Sequence, residues 1–213
     1  MSNPSKTTIA KYIKDISLED ATKDFLKLKN IDLNKVSSLG RAGLKFIDYF
    51  TFIERLDTIG SKGISFFTFI EDFEKYFHRP SIKRLYYQLR QKYPQNFYIC
   101  AKQIFQLYFG SINAFRPIVA MKIYDRYKPK NVLNVCSGWG AFLAAAAALN
   151  IPKITAIDNN PNLLQPYTEM ILELKKHSST DIKFINKNAS ILDLSNNSYD
   201  MIISSPPYYD KEI

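Results

Sequence analysis

The chain has 213 residues, 46% of them hydrophobic and 23% charged, enough to bury one substantial core or two small ones. No stretch reaches the roughly 18 uninterrupted apolar residues of a membrane span, and Met1-Ser2-Asn3-Pro4-Ser5-Lys6 lacks the apolar run of a secretion signal. A folded protein with no membrane association, located inside the cell in cytoplasm or nucleus, is expected. Cys100 and Cys136 are too few for a disulfide framework, and with two histidines they give no zinc-site spacing, so free thiols and no bound metal are expected.

The first 110 residues read as helices joined by short breaks. Ser17 followed by Asp20 has the form of a capping box, and Leu18, Ala21, Phe25 and Leu28 then recur at helical spacing. Val36, Leu39, Gly43, Phe46, Ile47, Phe50 and Ile53 continue the period and predict a second helix, closed by Gly60. Ser65 can cap a third, and Pro80 can open a fourth that carries Lys83, Arg84 and Arg90.

The net charge of +9 is uneven: residues 1–110 hold 18 Lys/Arg against 11 Asp/Glu, residues 111–213 hold 11 against 9. No acidic residue occurs between Glu74 and Asp125, a stretch that includes Lys75, Arg79, Lys83, Arg84, Arg90 and Lys92, with Tyr76, Tyr86, Tyr87, Tyr93, Tyr98 and Tyr108 interleaved. Basic groups neutralise phosphates and aromatic faces stack on exposed bases, so a nucleic-acid surface is one reading. A solvated helical face over an aromatic core is the other.

After Gly110 strands alternate with helices, the pattern of an open, mostly parallel sheet. Pro117 opens a helix to Tyr127. Predicted strands are Asn131–Cys136, Lys153–Ile157, Ile182–Ile185 and Asp200–Ser204, with helices over Ala141–Leu149 and Asn162–Lys176. The expectation is an α/β fold: a Rossmann-like, doubly wound parallel sheet over residues 111–213, preceded by an all-α, basic domain over residues 1–110.

Three segments at predicted strand ends carry chemistry. Cys136-Ser137-Gly138-Trp139-Gly140 follows the first strand, and its two glycines allow a tight turn and close approach of a ligand. The third glycine of the dinucleotide fingerprint is absent, since position 143 is Leu. Asp158 ends the second strand, where such sheets place a carboxylate for ribose hydroxyls; alternatively it caps the helix entered through Asn159-Asn160-Pro161. Ser204-Ser205-Pro206-Pro207-Tyr208-Tyr209 follows the fourth strand, and two successive prolines there make a rigid bend.

With these segments on the page, residues 111–213 resemble the class I S-adenosylmethionine-dependent amino-methyltransferases of nucleic acids, adenine-N6 and cytosine-N4 enzymes of viral and phage type. Ser205-Pro206-Pro207-Tyr208 is similar to their catalytic loop, Asn134-Val-Cys136-Ser-Gly138-Trp-Gly140 to their cofactor loop, and Asn113-Ala-Phe115-Arg116-Pro117 to the segment packed against the cofactor. The resemblance implies S-adenosylmethionine as cofactor, held by Phe115, Arg116, Pro117, Asn134, Cys136, Gly138, Gly140, Asp158, Asn159, Asn188 and Ala189. It also implies a base stacked on Tyr208 with its amino group held by Ser205 and Pro206, and DNA, or RNA, as substrate. Asn134 stands where the family often has Asp, and Asn188-Ala189-Ser190 lacks an acidic residue. The family's sheet has three strands beyond its catalytic loop, so the resemblance implies a methyltransferase domain incomplete at Ile213, completed by further chain or a protein partner. A catalytically silent, truncated subunit that binds nucleic acid or a partner is the competing reading.

Overall fold

The computed structural model describes residues 4–110, 112–192 and 199–206. The helices are α1 (Lys6–Ile13), α2 (Leu18–Lys29), α3 (Leu44–Asp57), α4 (Phe66–Glu71), α5 (Phe73–Phe77), α6 (Pro80–Lys92), α7 (Phe97–Tyr108), α8 (Pro117–Tyr127), α9 (Ala141–Ala148) and α10 (Leu164–Lys175). The strands are β1 (Asn131–Val135), β2 (Lys153–Asp158), β3 (Asp181–Asn186) and β4 (Met201–Ser204). All strand pairs are parallel and the order is β3-β2-β1-β4, so the fold is α/β. No helix among the described residues is long and apolar enough to cross a membrane.

The helix starts follow from local chemistry. Ser17 accepts a hydrogen bond from the Asp20 N–H and Ser65 from the Thr68 N–H, each satisfying a donor that its helix leaves unpaired. Pro80 and Pro117 occupy first-turn positions of α6 and α8, where a missing N–H costs nothing. The helix expected from Val36 begins instead at Leu44. Gly43 sits at φ +83°, a left-handed conformation that interrupts a helix, and Leu39, counted in the apolar period, is exposed.

The chain forms two compact units, and they do not follow a boundary at residue 110. One contains residues 4–15 and 52–113, the other residues 16–51 and 114–206, so the division falls inside α3. The reason lies in the apolar faces of α2 and early α3. Ala21, Phe25, Leu28, Phe46 and Ile47 share a core with α8, α9 and the sheet residues Val132, Ile154, Ala156 and Ile182. Every residue of α9 is buried, and its alanines leave room for α8 and α2 to pack on it. Thr22 of α2 donates to the buried Glu173 carboxylate of α10, which also takes Lys176 and His177. The first-named unit has its own core, built from Phe66, Phe69, Phe73, Tyr76, Ile104 and Phe105 among others.

Candidate functional site

Strands β1, β2 and β3 follow one another in one direction across the sheet, and β4 lies on the opposite side of β1. The carboxyl ends of β1 and β4 therefore flank the point where strand order reverses, the place where open α/β sheets form a crevice for ligands. Val135 at the end of β1 is in register with Ser204 at the end of β4. The turn after β1 and the segment Ser205-Pro206 thus leave the sheet side by side.

The turn after β1 is held from several sides. Cys136, Gly138 and Gly140 have φ of 55°, 57° and 89°, and left-handed backbone at a non-glycine such as Cys136 costs roughly 1–2 kcal/mol unless its surroundings impose it. Those surroundings are visible. The Ser137 N–H donates to the Ile157 carbonyl, and the buried Ser137 hydroxyl lies 3.1 Å from both the Asn134 and Ile157 carbonyls. The Gly138 N–H donates to Asp158 Oδ2 at 2.8 Å, and the Gly138 carbonyl accepts from the Tyr167 hydroxyl at 3.0 Å. Thr51 Oγ1 reaches the Trp139 carbonyl at 3.4 Å.

A β-carbon built on Gly138 would meet nothing within 4 Å among the described residues, so this α-carbon borders open space. One built on Gly140 would come within 2.7 Å of the Met170 thioether, so the second glycine is required by packing. Tyr167, fully buried, stacks on Phe184 at 4.3 Å between centroids. Burial, followed by the nearby Asp158 charge, pushes its phenol well above the usual value, and the hydroxyl stays a neutral donor to the turn.

Asp158 uses one carboxylate oxygen on Gly138 and the other on the Asn160 N–H at 3.0 Å. The cap of the following 3-10 turn (Pro161–Leu163) is Asn160, whose side chain accepts from the Asn162 N–H. Asp158 is therefore not the cap. A carboxylate offers about four acceptor sites, of which two are taken, and the group is half-exposed. Asn186, in register with Asp158, donates to the Asp158 and Asn160 carbonyls and fixes the end of β2 to β3.

Asn134 has no exposure. Its Nδ2 donates to the Ile203 carbonyl of β4 at 3.1 Å, while its Oδ1 is buried without a hydrogen-bond partner among the described residues. An unsatisfied buried acceptor costs on the order of 1–3 kcal/mol, and this one lies one residue short of the β1 carboxyl end. Phe115 stacks on Phe142 of α9 at 4.7 Å, Pro117 is buried beside Gly43, and the Arg116 guanidinium approaches the Ser38 carbonyl at 3.5 Å.

Among the residues singled out from sequence, Asn134, Cys136, Gly138, Gly140 and Asp158 thus converge on one turn, with Ser205 and Pro206 adjacent by register. Asn159 and Asn188 are exposed, Ala189 is half-buried, and the Asn188 carboxamide is used on Ser190 of its own turn. Pro207 and Tyr208 lie outside the described residues. Ser137 lies within the glycine turn but takes no role from sequence, and Tyr167 and Met170, which also support the turn, carry no motif; Tyr167 shares the helical period of Leu163, Met170 and Leu174, and only its hydroxyl among apolar neighbours signals a buried partner.

In the other unit, Lys75, Arg79, Lys83, Arg84 and Lys92 are exposed and Arg90 is half-buried. None of the six enters an ion pair among the described residues. Lys75 and Arg79 lie over the Tyr76 ring, Lys83 over Phe77 and Lys92 over Tyr93, with cation-to-centroid distances of 5.7, 5.6, 5.9 and 5.4 Å. Of the interleaved tyrosines only Tyr87 is exposed, at 55%; it stands one helical turn from Lys83, Arg84 and Arg90. Tyr76, Tyr86, Tyr98 and Tyr108 are buried or half-buried in the aromatic core, which is where their apolar surface is most stable, and Tyr93 is half-buried.

No protein-family model matches the chain, and no solved structure matches it.

Proposed function

We propose that the unit containing the sheet binds S-adenosylmethionine at the carboxyl ends of β1 and β4. We propose further that the chain serves methyl transfer to an exocyclic amino group of a nucleic-acid base, adenine N6 or cytosine N4. The observation that carries the reading is the turn at Gly138: an α-carbon bordering open space at the reversal of strand order, next to the half-exposed Asp158 carboxylate and the unsatisfied Asn134 Oδ1. These groups fit the cofactor's chemistry. Asp158 keeps free acceptor sites for ribose hydroxyls, Asn134 Oδ1 is an acceptor for an ammonium group, and Gly138 opposes no side chain to a ligand.

S-adenosylmethionine, when bound, supplies a methyl group on a positively charged sulfonium, so alignment of the accepting nitrogen counts for more than a strong base. The chain's own part is that alignment. The Ser205 hydroxyl and Pro206 carbonyl accept hydrogen bonds from the amino group, and the proline fixes the backbone from which they do so. The exposed cations of α6 and its flanks, with Tyr87 among them, supply phosphate contacts.

Calorimetric titration of the 213-residue chain with S-adenosylmethionine tests the cofactor assignment. Binding is expected, and Asp158→Ala should weaken it about ten- to a hundredfold, the loss of charge-assisted hydrogen bonds of roughly 1.5–3 kcal/mol. Tyr167→Phe releases the turn without touching the ribose acceptor and should cost less than Asp158→Ala. Absence of binding at millimolar cofactor, or equal affinity of Asp158→Ala and wild type, would overturn the assignment.

A further inference from the structure

Helix α6 carries Lys83, Arg84, Arg90 and Lys92 and no acidic residue. Residues three and four apart are neighbours on a helix surface, so Lys83 and Arg84 stand one turn before Tyr87 and Arg90 one turn after it. Tyr87 is 55% exposed, whereas Tyr86 beside it is half-buried against Phe73, Phe77 and Phe97. Phe77 and Tyr86 lie at 64° and 68° to the Tyr87 ring, with centroids 6.1 and 5.8 Å away. Among the described residues no ring is stacked parallel to Tyr87 and no cation lies over it; Lys83 stands over Phe77 and Lys92 over Tyr93 instead.

Cations without ion-pair partners around an exposed ring suit a polyanion that also has flat apolar faces to offer. Phosphates release counterions when cations neutralise them, and a base stacks on an aromatic ring whatever its identity. A duplex supplies the phosphates but keeps its base faces in its own stack. A single strand supplies both. Glu71 and Glu74 line an opening beside Phe77 and Tyr86, and their charge limits the track of phosphates on that side. The additional hydroxyl of RNA meets no carboxylate on α6, so DNA is the strand that this face fits.

We infer that the exposed face of α6 binds single-stranded DNA, with Tyr87 stacked on an unpaired base and Lys83, Arg84 and Arg90 on the flanking phosphates. The inference rests on the proposed nucleic-acid substrate and names the form in which it is held; it does not depend on the cofactor. The cations hold any strand, and Tyr87 selects an unpaired one.

The test is a fluorescence-anisotropy titration of the full chain, without cofactor, using a labelled DNA strand of mixed sequence, its duplex, the RNA strand of the same sequence and inorganic polyphosphate. Tyr87→Ala should weaken the single strand about five- to a hundredfold, the range of one base–aromatic stack, and leave the duplex unchanged. Tyr87→Phe keeps the ring face and should bind as wild type does, whereas Tyr87→Leu, apolar but without that face, should behave as Tyr87→Ala. The ring carries no charge, so Tyr87→Ala should not alter the slope of log affinity against log salt. Lys83→Ala with Arg84→Ala should flatten it by about 1.4 units, at about 0.7 per charge on a single strand. No loss from Tyr87→Ala, equal losses on strand and duplex, tighter binding of the RNA strand, or polyphosphate as tight as the strand at equal charge would each overturn the inference alone. Failure of every nucleic acid to bind would overturn the nucleic-acid reading with it, and neither result bears on the calorimetry with S-adenosylmethionine.

Discussion

Gly138 and Gly140 have the same left-handed backbone but different surroundings, and single substitutions separate the two requirements. Gly138→Ala places a methyl in open space, so its cost is the backbone alone, about 1–2 kcal/mol, and the chain should still fold. The methyl stands where the cofactor would approach, so S-adenosylmethionine affinity should fall well beyond what that destabilisation explains. Gly140→Ala adds a collision with Met170 to the same backbone cost and should lower the melting temperature more. Thermal melts beside calorimetry distinguish the two, and equal destabilisation by both substitutions would contradict this account. The glycines and Asp158 were legible because a tight turn at a strand end needs unusual backbone, and a carboxylate at the next strand end stands at a fixed spacing from it. Ser137 and Tyr167 were not, because a small polar residue or a single helical hydroxyl does not announce its partner until the chain is folded. Likewise the spacing of Asp158 shows the strand end, but not that Gly138 takes one of its oxygens.

At the level of elements, the strands and the helices after Gly110 were legible to within a residue or two, since buried parallel strands read as short apolar runs between turn residues. The start of α3 was not, because a helical period cannot show that Gly43 departs from helical backbone. Nor was the sorting of tyrosines in α5–α7, where core and surface rings have the same composition. Helix α6 now presents Lys83, Arg84 and Tyr87 on its exposed face, with Arg90 beside them. If this face contacts phosphates, log affinity for DNA should fall linearly with log salt, and each contact removed should reduce the slope by about one unit. The triple change Lys83→Ala, Arg84→Ala and Arg90→Ala should therefore flatten the slope by about two to three units in a fluorescence-anisotropy titration. A slope unchanged by the triple variant would leave α6 as a solvated surface.

For the whole molecule, the division inside α3 matters more than the change of sequence character near Gly110. Its apolar period runs unbroken across residues 51 and 52, so no local signal marks the point where its side chains pass from one core to the other. A fragment of residues 111–213 keeps every described strand but loses Ala21, Phe25, Leu28, Phe46 and Ile47, which share one core with α8 and α9. Several large buried side chains removed together, at roughly 2–5 kcal/mol each, exceed the margin of a small domain. The fragment should show no cooperative thermal transition by circular dichroism, whereas the full chain should. A cooperative melt of residues 111–213 at the full chain's temperature would show that the shared core is dispensable.

Helix α9 carries a consequence for how this protein can vary. A helix with one wet face tolerates change at every third or fourth position, which is how related sequences drift apart while keeping a fold. All eight residues of α9 are enclosed, five of them consecutive alanines, so there is no outward position at which drift can begin. Anything larger than a methyl in that run must displace α2, α8 or the sheet, and anything smaller gives up helical propensity. Residues 144–148 will therefore read, across descendants of this chain, as an uninterrupted block of small side chains, a signature kept by volume and owed to no ligand.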